Sequence, residues 1–233
     1  PILDIIAGSG VVLDTLQPYS REEWQSFANW KTMLENYLEC YHCAVAHPGF
    51  NAAIDVRPDA YTLAAHGWFL SQSGPVRPSA LQGKSKIELY DVAGDVAQSQ
   101  YHFLWPNVTI NINPGFPNLS IDVWTPDGPN ATKGFSEQFF GPGVSEDFAR
   151  SLVAFNKQVA REDDTLTDSV QPGVDNRLSV EKALGQPTFV GTSGRVFPKA
   201  FKASAKQYRG SAVFGGFDRK NEGGSFSNPQ GLL

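Results

Sequence analysis

Methionine is almost absent from this 233-residue chain, and cysteine occurs only twice. The single methionine is Met33 and the first residue is Pro1, so the sequence reads as a piece of a longer protein with a segment missing upstream. Cys40 and Cys43 are too few for a disulfide framework. Three apart on a helix, they would also meet in poor geometry for a bond. That usage fits a reducing, cytoplasmic compartment. Basic charge is not in excess: the net charge is -5, which argues against a nucleic-acid partner. No apolar run approaches the roughly 20 residues of a membrane span, and no charged-then-apolar leader is present. The chain is 41% hydrophobic and 18% charged, the balance of a globular protein that buries a sizeable core. Its length suits one large domain or two small ones.

Residues 1–20 read as an irregular lead-in. Residues 22–47 are rich in aromatic and helix-compatible residues, and Pro48-Gly49 supplies a stop. Between 60 and 140 the pattern changes. Residues 87–90, 108–112 and 119–124 alternate apolar and polar side chains, the period of strands with one buried face. Pro, Gly and Asn clusters at 113–118 and 126–130 separate them, which predicts an antiparallel sheet. A long amphipathic helix follows. Phe148, Leu152, Phe155, Val159, Leu166 and Val170 form one apolar stripe, Ser145 is the expected N-cap, and Pro172-Gly173 the expected stop. The fold class is therefore α+β. Residues 186–233 read as a divergent, partly disordered tail. From Arg195 to Lys220 seven basic residues face one acid, Asp218.

Histidine is scarce as well, with four in the chain, yet two fall in the stretch Glu39-Cys40-Tyr41-His42-Cys43-Ala44-Val45-Ala46-His47-Pro48. On an ideal helix, positions 42 and 47 diverge by about 140°. The two rings meet only if the helix departs from regularity before Pro48, and proline disfavours helical geometry at the residue before it, His47. A third ligand is sought in Glu162-Asp163-Asp164. Asp163 falls on the apolar stripe, Glu162 at its edge and Asp164 on the side turned to solvent. A carboxylate on a buried stripe is costly unless it is paired or binds a metal. Asp163 is thus the first choice and Glu162 the second. A salt bridge at the core margin is the ordinary alternative for either acid. Two histidines and one carboxylate with open positions make the triad of non-haem Fe(II) oxygenases. Zinc on Cys40, His42, Cys43 and His47 is the rival, weakened because structural zinc sites draw on two separated pairs.

The motifs Asn29-Trp30-Lys31, Glu35-Asn36-Tyr37-Leu38-Glu39-Cys40-Tyr41-His42-Cys43 and His47-Pro48 resemble the catalytic domain of Rieske non-haem iron oxygenases. The run from Glu162 to Gln171 is similar to that family's late helix, whose aspartate after a Glu or Gln is the third iron ligand. The resemblance spans residues 25–175. It implies a helix-grip, lipid-transfer-like fold, with a curved antiparallel sheet around a long C-terminal helix, and a mononuclear Fe(II) at His42, His47 and Asp163. It implies a site role for Asn36, and for Glu39 a role as inter-subunit bridge to a Rieske [2Fe-2S] cluster. Dioxygen would be co-substrate, a reductase or ferredoxin the electron donor, and a homotrimer the assembly.

No Cys-x-x-His follows in this chain, so the cluster would belong to an absent N-terminal domain, with residues 1–20 as linker and 21–185 as the catalytic domain. Glu rather than Asp at position 39 resembles the branch that hydroxylates or N-dealkylates quaternary ammonium compounds such as choline, betaine and carnitine. Aromatic-ring dioxygenation is the alternative within the class, and a non-catalytic module binding a hydrophobic ligand is the alternative outside it. A cationic substrate favours aromatic walls, for which Tyr37, Tyr41, Phe103, Trp105 and Trp124 are available.

Overall fold

The computed structural model describes residues 2–81 and 94–175. The strand expected at 87–90 and the tail at 186–233 lie outside the described residues.

A short helix, α1 (Ile2–Ala7), precedes the first strand, β1 (Gln17–Ser26). Three helices follow: α2 (Trp30–Tyr37), α3 (Cys43–Ala46) and α4 (Pro48–Ala53). Six more strands then run through β2 (Thr62–Ala65), β3 (Phe69–Pro75), β4 (Gln98–Leu104), β5 (Val108–Ile112), β6 (Asn118–Pro126) and β7 (Thr132–Phe140). The long helix α5 (Glu146–Asp175) comes last. All seven strands join one sheet in the order β1-β7-β6-β5-β4-β3-β2, and every neighbouring pair is antiparallel.

Three sequence expectations need correction. Residues 17–20 are not irregular and 22–26 are not helical, because the whole of 17–26 pairs with β7. That strand is exposed at most positions and carries no alternating apolar signal. The helix expected to run continuously into His47 is broken. Asn29 caps α2 by accepting the Lys31 N–H at 3.0 Å, α2 ends at Tyr37, and the ligand-rich segment lies between helices. The long helix does not stop at Pro172-Gly173. A proline in the last turn forfeits one backbone hydrogen bond without stopping the turns before it. Its start is as expected, with Ser145 Oγ accepting the Phe148 N–H at 3.2 Å.

The two faces of the sheet do different work. On one, Ile110, Ile112, Leu119, Ile121 and Phe139 pack with Ile2, Ile6 and Val11 of the N-terminal segment. Their alternate neighbours on β5, β6 and β7 point the other way, toward α5. In an open sheet such polar positions meet solvent. Here they line a cavity of about 450 Å³ between the sheet and α5. Helix α5 is held over it by Phe148 and Leu152 packed with Phe140, and by a Lys157–Glu22 ion pair at 2.5 Å.

A candidate metal centre between the helices

Residues 38–42 form an irregular turn, α3 lasts one turn, and Pro48 starts α4 as its first helical residue. His47 is the joint, at φ -115° and ψ 75°, the non-helical geometry expected of a residue before proline. That break brings the two rings together, with His42 Nε2 3.1 Å from His47 Nε2. Asp163 arrives from α5, its Oδ1 3.1 Å from His47 Nε2 and 3.3 Å from His42 Nε2. Separations of that size let all three atoms lie within about 2.1 Å of one point, the length of an ordinary metal–imidazole bond.

Each imidazole is held from behind. His42 Nδ1 lies 2.5 Å from Glu39 Oε1, and His47 Nδ1 lies 2.7 Å from Glu162 Oε2. Carboxylates there hold a proton on each Nδ1, so a metal would take the two Nε2 atoms that face Asp163. Glu162, the second choice for third ligand, is thus placed as the orienter of His47. Its place next to Asp163 was visible in the sequence, but which ring nitrogen it would meet was not. Asn36 donates from Nδ2 to Asp163 Oδ1 at 2.5 Å and fixes that carboxylate. Asp164, expected in solvent, is half-buried beside the cavity, and burial pushes its carboxyl pKa up. The Ser26 hydroxyl, in the segment read as helical, works against that shift.

Without a metal the cluster is a proton-sharing network. Burial works against a charge on His42, but hydrogen bonds to Asp163 and Glu39 outweigh it and raise its pKa to about 9. His47 is shifted up in the same way, its main partner again Asp163. Burial raises Asp163, yet hydrogen bonds from the two rings dominate and lower it to about 2. His102 is different in kind. Burial lowers it to about 4 and its Nδ1 lies 2.9 Å from Ser71 Oγ, so it is a neutral core residue.

Cys40 and Cys43 are disulfide-bonded, against the expectation from helical spacing. The segment between α2 and α3 is not one continuous helix, so helical geometry does not apply to the pair. Cys43 Sγ lies 3.9 Å from His42 Nε2, but a disulfide sulfur has no thiolate to offer, which removes the Cys40, Cys43 zinc set. The bond ties the turn bearing Glu39 and His42 to α3. We predict that the double variant Cys40→Ser/Cys43→Ser binds Fe(II) severalfold more weakly in an anaerobic chelator competition. Equal affinity would show that the tie contributes nothing to the site.

The cavity opens onto this cluster. Of the aromatic residues proposed for its walls, Tyr37 and Trp124 line it. Phe103 is instead buried against Leu34 and Leu38, while Tyr41 and Trp105 are half-exposed outside it. The aromatic lining residues missed in the sequence are Trp24, on the strand read as helix, and Phe50, Tyr61, Tyr101 and Phe155.

Beside a long helix packed over an antiparallel sheet, two imidazoles and one carboxylate converge as the donor set of a mononuclear metal site of the two-histidine, one-carboxylate class. The chain belongs to the family described as ring hydroxylating alpha subunit (catalytic domain), whose model matches residues 13–208. It is 32% identical over 151 residues to the carnitine monooxygenase oxygenase subunit of Escherichia coli K12, covering 64% of this chain and 38% of that protein. It is 28% identical over 166 residues to the chloroplastic choline monooxygenase of Spinacia oleracea, covering 69% and 35%. Among solved structures, a quaternary ammonium Rieske monooxygenase described in terms of carnitine oxidation and inter-subunit electron transfer superposes with a TM-score of 0.63 at 26% identity, covering 76% of this chain and 46% of that one. Naphthalene 1,2-dioxygenase from Rhodococcus sp. shares the fold at a TM-score of 0.55 and 14% identity, over 76% of this chain and 48% of that one. The chain spans about two fifths of the length of the carnitine monooxygenase subunits it matches.

Proposed function

We propose that this domain binds one Fe(II) at His42, His47 and Asp163 and hydroxylates or N-dealkylates a small quaternary ammonium compound. The observation that carries the reading is the convergence of His42 Nε2, His47 Nε2 and Asp163 Oδ1, with a carboxylate behind each imidazole. Bound iron supplies the redox chemistry that activates dioxygen beside the substrate. The chain's own residues prepare the place for it. Glu39 and Glu162 hold the Nδ1 protons, Asn36 orients Asp163, and Tyr37 and Trp124 give the cavity apolar walls that exclude water. One oxygen atom enters a C–H bond next to nitrogen. The other leaves as water after taking up two electrons and two protons.

The electrons come, in this reading, from a Rieske [2Fe-2S] cluster of a neighbouring subunit in a homotrimer, itself fed by a ferredoxin or reductase. Glu39 is the proposed bridge. Its Oε1 meets His42 while its Oε2 accepts the Tyr41 N–H at 2.6 Å, and both Tyr41 and Val45 of this segment expose apolar surface. Such surface beside a carboxylate that backs a ligand suits a subunit contact. The sheet clasping one long helix is the helix-grip arrangement, and the catalytic unit expected at 21–185 extends back to take in all of β1 and the N-terminal segment packed on the sheet. Among the described residues no helix is long and apolar enough to cross a membrane.

Anaerobic reconstitution with Fe(II) followed by metal analysis tests the proposal. Close to one iron per chain is expected in the wild type, and almost none in His47→Ala. Equal iron in both would remove the assignment.

A further inference from the structure

The cavity holds a carboxylate that the metal cluster does not use. Asp122 lies on the α5-facing side of β6, opposite Thr109 of β5 and Ser136 of β7. Its Oδ2 accepts from Thr109 Oγ1 at 3.1 Å and from Asn111 Nδ2 at 2.8 Å, and its Oδ1 accepts from the Ser136 hydroxyl. The direction of these bonds follows from their neighbours. An indole N–H can only donate, and that of Trp24 reaches Ser136 Oγ at 3.2 Å, so Ser136 directs its own hydrogen to Asp122. The Tyr37 hydroxyl donates to Asn111 Oδ1 at 2.7 Å, which turns the Asn111 amide nitrogen toward Asp122 and Ser120.

Three hydrogens thus converge on one carboxyl group, the setting of an ionised acceptor. Burial pushes its pKa up, and the same three hydrogen bonds oppose that shift. Among the described residues no Lys, Arg or His forms an ion pair with it. An anion in such surroundings is costly until a cation joins it.

The surrounding walls are aromatic for a reason that lies in one glycine. Gly134 of β7 pairs with Trp24 on one side and Trp124 on the other. A Cβ at Gly134 would fall 2.5 Å from the Trp24 ring, so its absence lets the two indoles meet edge to face at 5.8 Å. The Tyr37 ring meets Trp124 at 5.9 Å. Trp24, Tyr37, Trp124 and Asp122 line the same cavity as His42, His47 and Asp163.

We propose that Asp122, walled by Trp24, Tyr37 and Trp124, is the specificity residue that selects a quaternary ammonium head group over neutral ligands of the same shape. This rests on reading the cavity as the substrate site of an oxygenase, and it names the residue that does the selecting. Asp122 already spends three of its roughly four acceptor positions on the protein. A primary ammonium needs several acceptors to replace its lost water. A quaternary one needs none and is held by charge and by the ring faces.

The test is a fluorescence or calorimetric titration of the full chain with choline and with its neutral isostere 3,3-dimethylbutan-1-ol. Wild type is expected to bind choline at least about tenfold more tightly. Asp122→Asn should lose that preference by weakening choline alone, with isostere affinity retained. Trp24→Leu, which keeps the Asp122 carboxylate but removes the indole and its hydrogen bond to Ser136, is a second variant and should also weaken choline more than the isostere. Equal binding of the two by wild type, binding of neither, or a preference that persists in both variants overturns the proposal. Iron uptake measured in parallel separates the two readings. A wild-type chain that selects choline but takes up no iron sinks the oxygenase, while one that takes up iron without selecting choline sinks only the role of Asp122.

Discussion

Asp163→Ala is expected to lower Fe(II) affinity by more than about 100-fold. Losing a group that merely orients a ligand costs roughly 10- to 100-fold, and Asp163 is the only carboxylate placed within 3.3 Å of both Nε2 atoms among the described residues. Asp163→Asn should fall nearly as far, because it keeps the volume but replaces an anion by a neutral oxygen. Glu162→Gln, which disturbs only the far nitrogen of His47, should lie within the 10- to 100-fold range. A second readout needs no metal. With Asp163 gone, His42 loses the partner that most strongly offsets burial, so its pKa should drop from about 9 toward or below its ordinary value. A histidine titration followed by proton NMR reads that shift. Near-normal iron affinity in Asp163→Ala would hand the third position to Glu162 and break the ligand set.

How much of this was legible beforehand varies with the kind of signal. The convergence of His42 and His47 was legible because Pro48 imposes its geometry locally, on the residue before it. Asp163 was legible because a carboxylate interrupts an otherwise apolar stripe on a long helix, and helical phase carries well along the chain. Strands β5 and β6 were legible through strict alternation. Strand β1 was not. Its ten residues are mostly polar and exposed, and it is ordered by pairing with β7, more than a hundred residues later in the chain. That miss hid Trp24 as well. The Cys40–Cys43 bond was hidden for a related reason, since the turn that permits it depends on where α2 ends.

The polar face of the sheet shows the limit most clearly. Thr109, Asn111, Ser120, Asp122 and Ser136 read simply as the water-facing half of an alternating pattern. Asn111, Ser120, Asp122 and Ser136 line a cavity only because α5 lies over them, and no local pattern announces that. Asp163 and Asp122, both on the cavity, also differ in what sequence could say. Asp163 stands out against apolar neighbours, whereas Asp122 sits where a polar residue is unremarkable.

The proposed iron site should bind metal and protons in competition, with opposite pH trends for the metal-free and loaded protein. In the metal-free chain His42 is raised from 6.5 to about 9, so the stability it contributes is complete below pH 6.5 and is lost as pH climbs through 9. Asp163 is lowered from 3.8 to about 2, so its contribution is present above pH 3.8 and lost as pH falls through 2. Between those limits the protonated network holds the helices together without metal. Fe(II) needs the same Nε2 atoms deprotonated, and each proton it displaces makes its affinity rise about tenfold per pH unit. From pH 6.5 to 8.5 under anaerobic conditions, affinity should therefore increase by about 100-fold through His42 alone, and more steeply where His47, also raised, remains protonated. Calorimetry at pH 7.5 in buffers of differing ionisation enthalpy should count at least close to one proton released per iron bound. A flat affinity profile with no proton release would mean that the metal does not take the nitrogens that Asp163 now holds.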